Sequence, residues 1–213
     1  MTGYKEFIYR YGAILCSLLL MVFSFFIPYS LPVRLISFAS LIAASLIIAK
    51  DLRSPEDFKK IFGRFVSANA TLLFCATGLA AGILFAILYR WHLGIRLFPG
   101  SLRAFAYIAA LIGCVEELVY RGYVQVSANR INATFSIFFS SISHTGYKCC
   151  LFFSPAIVVS TNIGFLAFWT FIAGIILGTI RHISNSIYPT LAAHILFDIL
   201  VYGEYVAAPW WVW

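Results

Sequence analysis

Charge is what this chain has least of: Asp, Glu, Lys and Arg make up only 11% of it, against about a quarter in a soluble domain. With 62% hydrophobic residues beside that scarcity, a soluble globular domain is excluded and an integral membrane protein is indicated. Acids are the rarer sign, eight against fifteen bases, for a net charge of +7. The excess does not point to nucleic acid, because the basic residues sit mainly at the ends of apolar runs, where they act as orientation signals. Cysteine is sparse as well. Cys16, Cys75, Cys114, Cys149 and Cys150 are odd in number, scattered and without metal-ligand spacing, which excludes a disulfide scaffold. A His-Glu-x-x-His motif is missing, and so is any small-residue cleavage site after the first apolar run, which therefore reads as an uncleaved anchor.

What the chain has instead is a succession of apolar runs. They cover about Tyr11 to Tyr29, Pro32 to Ile48, Phe65 to Tyr89, Ala104 to Val126, a short Phe135 to Tyr147, Thr161 to Ile180, and Ser186 to Val206. Since about 20 helical residues cross a bilayer, this predicts an all-α, polytopic transmembrane helical bundle of about seven spans, six to eight, forming a single transmembrane domain over residues 1–213. Between the second and third runs, Lys50, Asp51, Arg53, Glu56, Asp57, Lys59, Lys60 and Arg64 read as a solvated or interfacial loop. Leu151 to Val159, set off by Pro155 and Ser160-Thr161-Asn162, reads as a re-entrant or interfacial piece. With the N-terminus in the cytoplasm, Lys5, Arg10, Lys50, Arg53, Lys59, Lys60, Arg64, Arg130 and Arg181 lie inside. Arg34, Arg90, Arg96, Arg103 and Lys148 lie outside, so the positive-inside bias favours that orientation. Trp91, Trp210, Trp211 and Trp213 fall near span ends, as an aromatic belt would.

Function should be sought at the ionisable residues inside these runs, each of which costs roughly 2.5 to 3.5 kcal/mol to insert and so faces a partner or a wet cavity. They are Glu116, Glu117 and Arg121 in the fourth run, His144 in the fifth, and His194 and Asp198 in the last. Counted from the cytoplasmic ends of their runs at 1.5 Å per residue, Glu116, His144 and His194 all lie roughly 12 to 15 Å deep, which predicts one shared site opening toward the cytoplasm. Glu117 and Arg121, four apart, can pair on one helix face in the favourable order. Glu116 stands about 100° away from that face. Desolvation there would raise its basicity, as suits a general base. His194 and Asp198 are also four apart and share a face. The alternative is that both glutamates merely hold helices together. His92 and His182 read as interfacial, and the Asn69 and Asn132 sequons are assigned no function.

At these residues the chain resembles the CAAX protease and bacteriocin-processing family, the Abi family of intramembrane glutamic endopeptidases. Glu116-Glu117-Leu118-Val119-Tyr120-Arg121 fits the family's E-E-x-x-x-R motif, with Gly122 following. His144 stands where the second motif's histidine would fall, and His194-Ile195-Leu196-Phe197-Asp198 has the form H-x-x-x-N/D. Gly174 to Gly178 and Ser186 to Thr190 are like the family's approach to that third motif. The likeness covers roughly Ser101 to Tyr202, which would be the catalytic core. One departure is Ser140, where the second motif usually has phenylalanine; the nearest is Phe139.

The resemblance implies peptide-bond hydrolysis within the membrane, with no covalent intermediate and no cofactor or obligatory metal. Glu116 would activate a water that His144 helps to hold, and Glu117 and Arg121 would fix the helix. His194 and Asp198 would stabilise the oxyanion. An amide at the Asp198 position donates directly, so the carboxyl must be protonated or must act through His194. The substrate would be a membrane-embedded or lipidated peptide: a prenylated C-terminus, a pheromone or bacteriocin precursor, or a membrane-sorting tail. The compact chain looks bacterial, in the cell membrane. Two other readings are open. Glu116, His144, His194 and Asp198 suffice in number for zinc, and a non-catalytic membrane immunity or maturation partner would keep the polar cluster for packing.

Overall fold

The computed structural model describes residues 2–64, 67–157 and 162–205, with side chains from Tyr11 onward. Among them the chain is all-helical, and every expected apolar run forms helix. The elements are α1 (Thr2–Phe26), α2 (Leu35–Asp51), α3 (Pro55–Phe62), α4 (Ala68–His92), α5 (Ala104–Glu117), a π-helical segment (Leu118–Val124), α6 (Gln125–Ala128), α7 (Ala133–Phe153), α8 (Ile163–Ser184) and α9 (Tyr188–Tyr202). By length and composition α4 and α8 can each cross a bilayer alone, and α2 with α3 can do so only as a pair bent by 112°. Tyr11–Phe26 and α9 are shorter apolar helices. Side chains such as Leu72, Leu73, Leu111 and Val115 are exposed on helix surfaces, whereas Ser37, Ser136, Ser140 and Ser141 are buried. An apolar exterior over small polar interior residues is the pattern of helices packed in lipid.

Three local expectations are corrected. The charged stretch after α2 is not a plain loop, because α3 forms within it. Pro55 takes the first helical position, and Ser54 and Asp57 cap reciprocally: Asp57 N–H donates to Ser54 Oγ at 3.2 Å and Ser54 N–H to Asp57 Oδ2 at 3.2 Å. Asp51 is not solvated either. It ends α2 as a buried residue and accepts from the Tyr123 hydroxyl at 2.6 Å. Finally, α7 continues past Tyr147 to Phe153, so Leu151 to Phe153 belong to that helix rather than to a re-entrant piece. Residues 158–161, and with them part of that stretch, lie outside the described residues, as do Phe65, Trp210, Trp211 and Trp213 and the side chains of Lys5 and Arg10.

The chain falls into two compact units, each discontinuous in sequence. The first is Met1–Ile61 with Gly122–Ile175, in which α1 packs on α2 and α7. There Ser24 Oγ donates to the Tyr147 carbonyl at 2.6 Å, and Phe138 packs on Phe171.

The second unit is Phe62–Arg121 with Ile176–Trp213, built on α4, α5 and α9. Helix α9 runs parallel to α4. A methyl group at Gly78 would collide with the backbone of Pro189, and one at Gly82 with that of Ala193, so the G-x-x-x-G spacing of α4 is what lets the two backbones touch. Helix α5 runs antiparallel to α9, with Phe105 against Tyr202 at one end. The turn into α9 is pinned at the other side of the unit. Asn185 has φ +48° and Gly63 φ +83°, and the two segments exchange backbone bonds, Arg64 N–H to Asn185 O and Ile187 N–H to Phe62 O, both at 3.0 Å. Gly63 is obligatory there twice over, by its left-handed backbone and because a side chain would strike the Asn185 carbonyl.

Candidate active site

In the second unit, α5 delivers Glu116 and Glu117 in its final turn, immediately before the backbone widens into the π-helical segment that carries Arg121. Such π turns are rare and recur at functional sites. Facing them, α9 starts at Tyr188-Pro189, proline being suited to a first turn, and brings His194 and then Asp198 one turn later on the same face. Glu116, Glu117, Arg121 and Asp198 are all buried, and the His194 side chain is 11% exposed.

The histidine is the hub of the cluster. Its Nδ1 lies 3.0 Å from Glu117 Oε1, a hydrogen bond in which an ionised Glu117 accepts from Nδ1–H. Its Nε2 lies 3.8 Å from Glu116 Oε2 and 3.6 Å from Asp198 Oδ2. Glu117 is shared, because its other oxygen stands 3.7 Å from Arg121 Nε. Three carboxyl groups, one imidazole and one guanidinium thus share one small buried space. Among the described residues no three His, Cys, Asp or Glu side chains are disposed to hold a metal ion.

Thus the structure brings together five of the six residues singled out from the sequence, Glu116, Glu117, Arg121, His194 and Asp198. His144 belongs to the first unit. It sits buried on α7 among Ser140, Ser141 and Ser143, its ring stacked over Tyr147 at a centroid distance of 6.4 Å. Ser140, in the place of the phenylalanine usual in the motif, is fully buried. The pairing expected between Glu117 and Arg121 is present, but Glu117 also holds His194, and Glu116 faces Nε2 of the same ring.

Gly113 was missed by sequence reasoning. It lies one turn before Glu116 and Glu117, and a methyl group there would collide with the Asp198 carboxylate and come within 2.9 Å of His194 Cδ2. The signal was present: a glycine three and four residues ahead of paired acids lies on their face of the helix.

Such an arrangement defines a helical membrane protein with a buried carboxylate–histidine centre assembled from two helices. Residues 98–200, which contain the whole cluster as well as His144, match the family model described as type II CAAX prenyl endopeptidase Rce1-like. That match, over just under half of the chain, is to the CAAX protease family, and it supports an intramembrane protease. Comparison with curated proteins and with solved structures gives no match.

Proposed function

We propose that this protein hydrolyses a peptide bond in a membrane-borne or lipidated substrate by glutamate-activated water. The observation that supports the reading best is the convergence of Glu116 and Asp198 on His194 Nε2, with Nδ1 already held by Glu117, inside the Rce1-like segment. Glu116 accepts a proton from water as the water oxygen bonds to the scissile carbonyl carbon. The carbonyl electrons move to oxygen, where His194 as an imidazolium, with Nδ1–H held by Glu117, donates through Nε2–H and a protonated Asp198 donates beside it. When the C–N bond breaks, the amine leaves with the proton that Glu116 took. Glu117 is the group that orients the ring, the role a buried carboxylate plays toward a catalytic histidine. His144 is assigned a part in holding the water from the order of the motifs. The site is taken to open toward the cytoplasm in the cell membrane, with the N-terminus on that side.

The test is cleavage of a prenylated C-terminal peptide, and of a non-prenylated membrane peptide, by protein reconstituted in liposomes, with products read by mass spectrometry. Glu116→Gln, which keeps shape and removes the base, is expected to abolish cleavage at near wild-type melting temperature. More than a few per cent of activity left in the pure variant would reject the general-base role.

A further inference from the structure

Outside the cluster, the second unit buries the charge of Arg90, in the last turn of α4, with a side chain 1% exposed. Its Nη1 donates to the carbonyls of Leu200 at 2.9 Å and Val201 at 3.2 Å, in the last turn of α9. Its Nε donates to the Arg96 carbonyl at 2.6 Å, and Nη2 meets Glu204 Oε2 at 3.2 Å. Glu204 is held in turn by Arg96 Nη2 at 2.7 Å and by the Gly100 N–H at 2.9 Å. The connection from α4 to α5 is thereby tied to the end of α9, and the Arg103 N–H adds a bond to the Gly203 carbonyl at 2.8 Å.

A helix end leaves carbonyls that need donors and favour a cation, so part of this network is ordinary capping. Its place gives it a second consequence. Leu200 is two residues beyond Asp198 and six beyond His194, or about 3 and 9 Å along the axis. Along the rest of α9 the contacts with α4 include glycine against backbone at Gly78 and Gly82 and Tyr89 edge-on to Phe197. Glycine contacts permit close approach but have no direction along the axis. The guanidinium bonds do have one: as the Ile187 N–H to Phe62 carbonyl bond pins the start of α9, they fix the axial position of its last turn, the end nearer Asp198.

We propose that Arg90 is a positioning residue for the carboxylate–histidine site: braced by Glu204, it sets the axial register of α9 and so the distance of His194 and Asp198 from Glu116 and Glu117. The activity arm of the test rests on the proposed proteolysis; the structural arm does not. Lysine cannot replace the fork, because one ammonium cannot reach the Arg96, Leu200 and Val201 carbonyls and Glu204 together.

In liposomes, Arg90→Lys is expected to lower kcat about 10²-fold with KM within about twofold, as for a misplacement near 1 Å that leaves binding intact. Glu204→Gln, which loosens the brace and leaves the fork, is expected to lower kcat about tenfold. Backbone hydrogen exchange without substrate is the second readout. Both variants should exchange faster over residues 194–202 and at the wild-type rate elsewhere in the helices. Should Arg90→Lys fail to fold, Glu204→Gln carries both arms. Unchanged exchange over 194–202, acceleration spread evenly over all helices, or full kcat with the bonds removed would each overturn the proposal. A wild-type protein that cleaves nothing would reject the proteolytic reading, and the exchange pattern would still decide whether Arg90 fixes α9.

Discussion

Glu117 has two partners, and its substitution should have two separable effects. Loss of either Glu117 or Arg121 strands a buried charge, at a cost on the order of 3 to 5 kcal/mol, so Glu117→Ala and Arg121→Ala should both reduce the melting temperature and the folded yield. The double variant is expected to fold better than either single one; no improvement would mean the two are not a pair. Per folded molecule, Glu117→Ala should lose more activity than Arg121→Ala, since only Glu117 orients His194. Asp198 gives a sharper test. As a neutral donor it should tolerate Asp198→Asn with much of the activity kept and extended to higher pH, whereas an anionic partner of His194 would lose roughly 10² to 10³ in rate at every pH. The pH–rate profiles of the two proteins decide between them. At this scale the sequence was legible wherever partners lie within one helix, as with Glu117–Arg121 and His194–Asp198. The Glu117–His194 bond joins residues 77 apart and depends on how α5 and α9 meet, which no local spacing encodes.

Among the elements, α5 and α9 meet where Gly113 leaves room for the His194 ring and the Asp198 carboxylate. Gly113→Ala is therefore expected to reduce kcat by at least about tenfold with a smaller effect on the melting temperature, the reverse of a substitution in an inert interface. Equal loss in both measures would make Gly113 a packing residue only. Helix α3 makes a pH prediction. A hydrogen bond from Lys60, then those from Ser54, hold the Asp57 carboxyl down at about 2. A depressed carboxyl contributes stability above its unfolded range that is lost as pH falls toward its folded value. Exchange protection of residues 55–62 should thus be flat from pH 8 to pH 5 and fall below about pH 4. Protection lost already near pH 6 would contradict the capping. The start of α3 was written in Ser54-Pro55-Glu56-Asp57, a serine cap with proline at the first helical position. Charge density across Lys50 to Arg64 hid it, because a solvated loop and a short amphipathic helix have the same composition. The reach of α7 was hidden by Lys148, a charged residue that a helix accommodates inside the membrane boundary when its stem reaches the interface.

For the whole molecule, composition sufficed to place the chain in a membrane and to make it helical, since 62% hydrophobic residues leave few other solutions. The division into two discontinuous units was not legible, because it depends on which helices pack together rather than on where each begins. Metal dependence is a property to test at this scale. Activity is expected to survive exhaustive chelation, and elemental analysis showing about one zinc per chain, with activity lost on its removal and regained on its return, would overturn the glutamate mechanism.

The separation of 77 residues between Glu117 and His194 also has a consequence for biosynthesis. At about 5 to 20 residues per second, the ribosome adds that length in roughly 4 to 15 s. Over the later part of that interval the two glutamates have left the ribosome and their histidine has not been made. Arg121, on the same stretch of helix, is the countercharge available throughout. On the proposed mechanism, a nascent chain in this state has its acids in place but lacks its histidine, and it becomes competent to cut only when α9 packs against α4 and α5. Arg121 thus serves the newborn chain first, as an escort that lets an acidic span wait in lipid.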